Sequence, residues 1–179
     1  MKKSIKGFSI IEIMVSITVL VYLTTVSIVN FRDAEKNTQL VLASNLLVSN
    51  TRNVQNMVIN GSSFNGSPMP SGGYGIHFNN SQYIIFADND SNKVYDAGEE
   101  MITTNLIDVS LTFFQKDNLL FTPPGAEICA NDDTCVACDC DIKDMGEGIG
   151  EFKITLSHNN TGNIKNIIIN QISGRVGIE

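Results

Sequence analysis

The stretch that decides the fold is residues 1–31, MKKSIKGFSIIEIMVSITVLVYLTTVSIVNF. Three lysines lie in its first six residues, and the apolar run that follows, residues 8–31, contains one charged side chain, Glu12. A helix over residues 8–31 is about 36 Å long at about 1.5 Å per residue, enough to cross a hydrocarbon core of about 30 Å. Because no further basic residue occurs before Arg32, the charge asymmetry predicts a cytoplasmic N-terminus and an extracytoplasmic head.

Glu12 is the first candidate functional residue. A carboxylate near the middle of a bilayer costs about 2.5 to 3.5 kcal/mol, and a plain membrane anchor does not need one. A cleaved secretory signal is a poor match, because its apolar region would span only about 7 to 15 residues and end at a small-residue cleavage site. We therefore expect Glu12 to have a specific partner.

The segment GFSIIE at residues 7–12, placed between a short basic leader and a long apolar helix, resembles the N-terminus of type IV prepilins. The resemblance implies that a prepilin peptidase cleaves between Gly7 and Phe8 and methylates the new amino group of Phe8. Glycine before the cut would let the protease approach the backbone closely. The resemblance also implies that Glu12 pairs, in a filament, with the ammonium group of a neighbouring subunit, since a buried charge is tolerable only with a partner.

The rest of the chain predicts an α+β protein. After a polar patch at residues 32–37, apolar residues recur at helical spacing as far as Val58, and Asn60 with Gly61 forms a good helix end. The chain then divides into a leader at 1–7, a transmembrane or filament-core half of the helix at 8–31, an amphipathic half at 32–60 and a β-rich head at 61–179.

Alternating apolar residues predict strands in the head near Ile76 and at residues 82–87, 106–114, 119–122, 152–157 and 166–172. Turn residues at 116–118 and 159–162 predict antiparallel hairpins. The expected architecture is one antiparallel sheet packed on the amphipathic half of the helix. The resemblance implies that this is a pilin fold.

Three short segments of the head resemble the GspH/FimT group of minor pilins and pseudopilins. They are QYIIF at 82–86, FTPPG at 121–125 and SGRVGIE at 173–179. Members of this group that bind DNA use a basic C-terminal GRxR pattern. Only Arg175 matches that pattern here, because Gly177 takes the place of the second arginine.

An acidic turn follows the strand at 82–87. Positions 1, 3, 5, 9 and 12 of this turn carry side-chain oxygens, from Asp88, Asp90, Asn92, Asp96 and Glu99. Position 7 offers the backbone carbonyl of Val94. This is the ligand spacing of an EF-hand calcium loop. Lys93 departs from the pattern, because a glycine with positive φ normally stands there and a lysine in that conformation costs about 1 to 2 kcal/mol. The two interpretations are a Ca²⁺ site and a solvated acidic turn.

Four cysteines, Cys129, Cys135, Cys138 and Cys140, lie within the segment CANDDTCVACDC. An even number of cysteines in an extracytoplasmic head predicts disulfides. A Cys138–Cys140 bond is disfavoured, because side chains two residues apart rarely meet disulfide geometry. Cys129–Cys140 with Cys135–Cys138, or the crossed pairing, therefore remains. A four-thiolate zinc site and free thiols are the alternatives, although a second, well-separated CxxC pair is lacking.

Nothing in the sequence predicts an enzyme. There is no nucleophile elbow, phosphate-binding loop or HExxH motif, and the two histidines, His77 and His158, are expected on the sheet surface without a catalytic partner. The formal charge of −7 falls by three when the leader lysines are removed. Such an acidic chain argues against a nucleic-acid partner.

The resemblance implies a structural subunit, a minor pilin or pseudopilin of a type IV pilus or a type II secretion pseudopilus. Its partners would be other pilin or pseudopilin subunits, the prepilin peptidase and, before assembly, the bacterial inner membrane. The head would then lie in a periplasmic pseudopilus or on a cell-surface pilus. The alternative function is a binding module at a pilus tip, with a calcium-stabilised head that contacts DNA, a surface or a secreted substrate.

Overall fold

The computed structural model describes residues 9–113, 117–131, 151–171 and 173–179. The predicted processing residues Gly7 and Phe8 and three of the cysteines, Cys135, Cys138 and Cys140, lie outside these ranges. The chain divides into two compact units, Met1–Thr38 and Gln39–Glu179, and we call the second the head unit.

The described residues form one helix and nine strands. Their bounds are α1 Ile10–Ile59, β1 Gly73–Asn79, β2 Gln82–Asp88, β3 Glu100–Asn105, β4 Val109–Phe113, β5 Asn118–Thr122, β6 Glu127–Asn131, β7 Glu151–His158, β8 Ile164–Asn170 and β9 Val176–Ile178. The predicted α+β class is confirmed.

Helix α1 ends where the sequence predicts. Gly61 adopts a φ of 62° and donates its N–H to the carbonyl of Val58 at 3.1 Å. The N–H of Ser62 reaches back to the carbonyl of Met57 at 2.9 Å. These two bonds form a Schellman motif, which satisfies carbonyls that a helix end leaves unpaired.

The first part of α1, Ile10–Ile28, is long and apolar enough to cross a membrane, a property that a signal sequence shares. None of it is buried within the protein. Its serine and threonine hydroxyls bond inside the helix; Thr18 and Thr25, for example, donate to the carbonyls of Met14 and Val21 at 2.8 Å. The segment therefore presents an apolar surface without unpaired hydroxyl donors at these positions.

The second part of α1 supplies the head unit with core residues. Leu40, Leu47, Val54 and Val58 share one helix face, and Leu47 and Val54 are completely buried. Polar residues next to this face bond to the strands: Asn50 Nδ2 donates to the hydroxyl of Tyr83 at 2.8 Å. Arg52 and Gln55 donate to the carbonyls of Val176 and Gly174 at 3.0 and 2.8 Å.

The strands form two antiparallel sheets rather than the one sheet that the sequence predicts. The first has the order β3-β2-β1-β5-β6 and the second the order β4-β7-β8-β9. The chain changes sheets between β3 and β4, where Asp108 takes a φ of 57°. The strand predicted at 106–114 consequently begins only at Val109, and it pairs with β7.

One of the two predicted hairpins is wrong. Strands β4 and β5, which flank the predicted turn at 116–118, lie in different sheets. The hairpin predicted at 159–162 is confirmed, because β7 and β8 pair across it with Ser157 opposite Ile164. Large side chains from both sheets and α1 meet in one core that includes Tyr74, Phe121 and Ile154.

Candidate cation site

The acidic loop, residues 88–99, connects β2 to β3. Asp88 is the last residue of β2, and Glu99 directly precedes β3. The base of the loop is closed by a bond from the N–H of Ala87 to the carbonyl of Glu99 at 3.0 Å. Both flanking elements are strands, so the loop joins two neighbouring strands of one sheet rather than two helices.

Three of the six predicted ligands come together. Asp88, Asp90 and Glu99 each bring one carboxylate oxygen within 4.8 Å of the others. Asp88 is fully buried and Glu99 is 8% exposed, whereas Asp90 is exposed. The cluster therefore has two buried carboxylates at its base and one at its mouth.

Backbone N–H groups hold the two buried carboxylates. Glu99 accepts from the N–H of Asn89 at 2.8 Å and from that of Asp96 at 3.2 Å. The Oδ2 atom of Asp88 accepts from the N–H of Lys93 at 3.0 Å. The Oδ1 atom of Asp88 is buried and has no hydrogen-bond partner among the residues that the structure describes.

The other three predicted ligands, Asn92, Val94 and Asp96, are not part of this cluster of three carboxylates. Asn92 Nδ2 donates to Asp90 Oδ2 at 3.1 Å and to Asp96 Oδ2 at 2.5 Å. Asn92 Oδ1 accepts from the N–H of Val94 at 2.8 Å. A single amide thus connects two carboxylates near the mouth of the cluster, but a neutral donor does not cancel their charge.

Lys93 adopts the backbone conformation that the calcium-loop pattern requires of a glycine. Its φ is 68°, and Ser91 two residues earlier has a φ of 64°. The left-handed conformation of Lys93 turns its N–H toward Asp88 Oδ2. The departure from glycine therefore carries backbone strain without preventing the sharp turn.

Burial raises the pKa of Asp88 to about 6, from an ordinary value of 3.8. The N–H groups of Lys93 and Ser91 act in the opposite direction, and the charges of Glu99 and Asp90 add to the increase. Ionising Asp88 is therefore unfavourable in the protein as it stands.

When a chelator removes any bound metal, we expect the free energy of unfolding to depend on pH. Asp88 is protonated in both states below its ordinary pKa of 3.8 and ionised in both states above about 6. The free energy of unfolding should therefore fall by about 3 kcal/mol as the pH rises through this window, because Asp88 ionises less easily in the folded protein than in the unfolded chain. Urea unfolding of the wild type and of Asp88→Asn should diverge by this amount from about pH 4 to about pH 7. A constant difference between the two proteins would contradict it.

Two residues that build the loop, Tyr95 and Gly72, are absent from the sequence predictions. The ring of Tyr95 stacks on His77 with centroids 4.9 Å apart and meets the edge of Phe86 at 5.6 Å, and its hydroxyl donates to Glu100 at 2.8 Å. Gly72 leaves room for Asp88, since a Cβ atom on Gly72 would lie 2.0 Å from Asp88 Oδ2. Tyr95 could have been noticed as the one aromatic residue in a polar loop.

The histidines differ from expectation at one position. His77 is half-buried, and its Nδ1 lies 2.8 Å from Asn118 Oδ1. His158 is only 2% exposed, so its predicted place on the sheet surface is wrong. It is buried because it continues the inward-facing alternation of Phe152, Ile154 and Leu156 along β7. The N–H of Asn160 bonds to its Nδ1 at 3.2 Å.

The remaining predicted site residues lie far apart in the chain. Glu12 is exposed in the first turn of α1, where the helix dipole favours a negative charge. Cys129 is buried on β6 and is disulfide-bonded. The pairing of the other three cysteines falls outside the described residues.

The described residues define an α+β protein with one helix that is apolar enough to cross a membrane and an acidic loop that could hold a cation. No protein-family model, no curated protein and no solved structure matches this chain.

Proposed function

We propose that this chain is a structural subunit of a type IV pilin-like filament, a minor pilin or pseudopilin of a type IV pilus or a type II secretion pseudopilus. In this function a prepilin peptidase removes residues 1–7, and the new N-terminus begins at Phe8. The N-terminal helix then assembles with other subunits, and the head unit lies on the filament surface.

The observation that carries this proposal is the division of α1. Its first part, Ile10–Ile28, exposes apolar side chains such as Ile10 and Tyr22, which are 80% and 70% exposed. Its second part is built into the core of the head unit through Leu47 and Val54. An exposed apolar helix of this kind needs a lipid or protein environment, and a bundle of like helices supplies one.

The position of Glu12 supports assembly rather than simple anchoring. It lies in the first turn of α1 and is the only charged residue among residues 8–31. An ammonium group at the start of a neighbouring helix would be close to a carboxylate that lies in a first turn. Removing one partner of such a pair strongly destabilises the assembly, because the other charge then remains buried alone.

The test replaces Glu12 with glutamine in full-length protein expressed in its natural host. Membrane insertion should persist, and the amount of subunit in sheared filaments should fall more than tenfold, as loss of about 3 kcal/mol of pairing implies. Glu35→Gln is the matched control, because it removes an exposed carboxylate from the same helix outside the apolar segment.

Mass spectrometry of the same wild-type filaments should show a mature chain that begins at methylated Phe8. Normal incorporation of the Glu12→Gln variant would exclude the pairing function. A mature chain that retains residues 1–7 would exclude processing by a prepilin peptidase.

A further inference from the structure

We propose that the acidic loop binds one Ca²⁺ ion through the carboxylates of Asp88, Asp90 and Glu99. The proposal concerns the head unit alone and stands independently of the filament function. It would make the loop a structural metal site between β2 and β3.

The spacing of the carboxylates fits a single ion. Calcium–oxygen distances of about 2.3 to 2.6 Å place two ligands on opposite sides of one Ca²⁺ about 4.6 to 5.2 Å apart. One oxygen from each of Asp88, Asp90 and Glu99 lies within 4.8 Å of the others. Three carboxylates this close repel one another unless a cation or protons lie among them.

The buried carboxylate of Asp88 also favours a cation, for a reason separate from the spacing. Asp88 is completely buried, and its Oδ1 atom has no hydrogen-bond partner in the described part of the chain. A buried acceptor without a partner costs about 1 to 3 kcal/mol, and more if it is charged. Its other oxygen already accepts from Lys93, so Oδ1 is the atom that a cation would satisfy.

The loop holds these ligands in place before any ion binds. Glu99 is fixed by two backbone N–H groups, those of Asn89 and Asp96. Asp88 lies against Gly72, whose own N–H donates to the carbonyl of Asp88 at 3.2 Å. Ser71 and Ser91 also bond through their hydroxyls at 2.5 Å, which joins the segment before β1 to the loop. Fixed ligands lose less conformational entropy on binding.

The ligand chemistry selects calcium. Carboxylate oxygens are hard ligands, and the cluster contains no imidazole or thiolate that would favour zinc. Ca²⁺ takes six to eight oxygens in flexible geometry, and water can supply those that the protein does not. A cavity of about 390 Å³, lined in part by Asn65, Asp90 and Glu99, opens beside the cluster and can admit that water. Mg²⁺ demands shorter bonds and a stricter octahedron.

Binding at this loop should stabilise the whole first sheet. Tyr95 lies inside the loop and packs on a small buried cluster of Phe86, Leu120 and Cys129, which belong to β2, β5 and β6. It also stacks on His77 of β1. An ion bound in the loop is therefore linked to the first sheet through Tyr95, whose ring contacts His77 of β1 and Phe86 of β2.

The test titrates CaCl₂ into the full chain in detergent micelles after removal of metal with a chelator, with calorimetry and thermal unfolding as readouts. We expect one bound ion with a Kd on the order of 10⁻⁴ to 10⁻³ M. Saturating calcium should raise Tm by about 5 °C, and magnesium at the same concentration should raise it much less.

Two variants and a control distinguish a specific site from general screening of an acidic protein. Asp88→Asn keeps the shape of the side chain and should weaken binding at least about tenfold. Gly72→Ala keeps all the ligands but places a Cβ atom 2.0 Å from Asp88 Oδ2, so it should weaken binding by displacing that carboxylate. Asp117→Asn removes one exposed carboxylate elsewhere and should bind calcium like the wild type.

Loss of the Tm shift in Asp88→Asn and Gly72→Ala, with a normal shift in Asp117→Asn, would support the site. No calcium heat or Tm shift in the wild type would overturn it. Equal shifts in all four proteins would overturn it too, because they would reflect screening alone.

Discussion

Replacing Gly73 with alanine should lower the free energy of unfolding of the head unit by about 3 to 5 kcal/mol. Gly73 begins β1 with a φ of 98°, a conformation that residues with a side chain rarely adopt. An added Cβ atom would also lie 2.1 Å from the carbonyl oxygen of Phe121. Strand β1 would have to separate from β5, where Tyr74 and Phe121 pair and both side chains are completely buried.

Urea unfolding followed by tyrosine fluorescence measures this effect, because three of the four tyrosines lie in the head unit. Gly177→Ala is the matched control. Gly177 lies in β9, and a Cβ atom there would meet nothing within 4 Å in the described structure. We expect that control to change stability by less than about 0.5 kcal/mol. Equal effects of the two substitutions would contradict the strain at Gly73.

Removing the disulfide of Cys129 should lower the free energy of unfolding by about 2 to 5 kcal/mol. Cys129 is 4% exposed on β6 and packs with Phe86 and Leu120. Its partner must be one of the three cysteines between residues 132 and 150, since the chain has only four. The bond therefore ties the middle of β6 to a cysteine later in the chain.

The measurement compares the wild type and Cys129→Ala with and without a reducing agent. Reduction should lower the free energy of unfolding of the wild type by most of the difference that separates it from Cys129→Ala under non-reducing conditions. It should lower that of the variant less. Alkylation of the native protein without a reducing agent should label no cysteine. If reduction leaves the stability of the wild type unchanged, the bond contributes nothing to the fold.

The helix could be predicted from the sequence almost to the residue, because its determinants are local. A continuous apolar run needs no tertiary information, and Gly61 ends the helix through bonds to residues one turn earlier. Strands with strong alternation, such as β7, were also visible in the sequence. Strands β3, β6 and β9 are absent from the sequence predictions. Strand β3 is mostly exposed and therefore shows no apolar alternation, and β9 has only three residues.

The division into two sheets could not be predicted. It depends on which strands pair over long separations, and Val109 of β4 pairs with His158 of β7. Local alternation fixes which face of a strand is buried but not its neighbour. The prediction of a hairpin between β4 and β5 is wrong for this reason. The turn residues between them carry no information about β7, the strand with which β4 pairs.

The candidate site shows the same limit. Periodic spacing of acidic residues identified the acidic loop, but burial decides which of them matter. The carboxylate of Asp88, whose Oδ1 atom lacks a partner among the described residues, can be buried because Gly72, sixteen positions earlier, leaves space for it. A spacing rule contains no such contact.

The contacts that attach α1 to the sheets have a consequence for the order of events during synthesis. Arg52 and Gln55 are made early, but their carbonyl partners, Val176 and Gly174, lie 124 and 119 residues further on. At roughly 5 to 20 residues per second, the ribosome takes roughly 6 to 25 s to cover that distance. During this interval the core face of α1 is complete but uncovered on the β9 side. The bonds from Arg52 and Gln55 can therefore form only after Val176 has been made, so the attachment of α1 to this part of the second sheet is completed late.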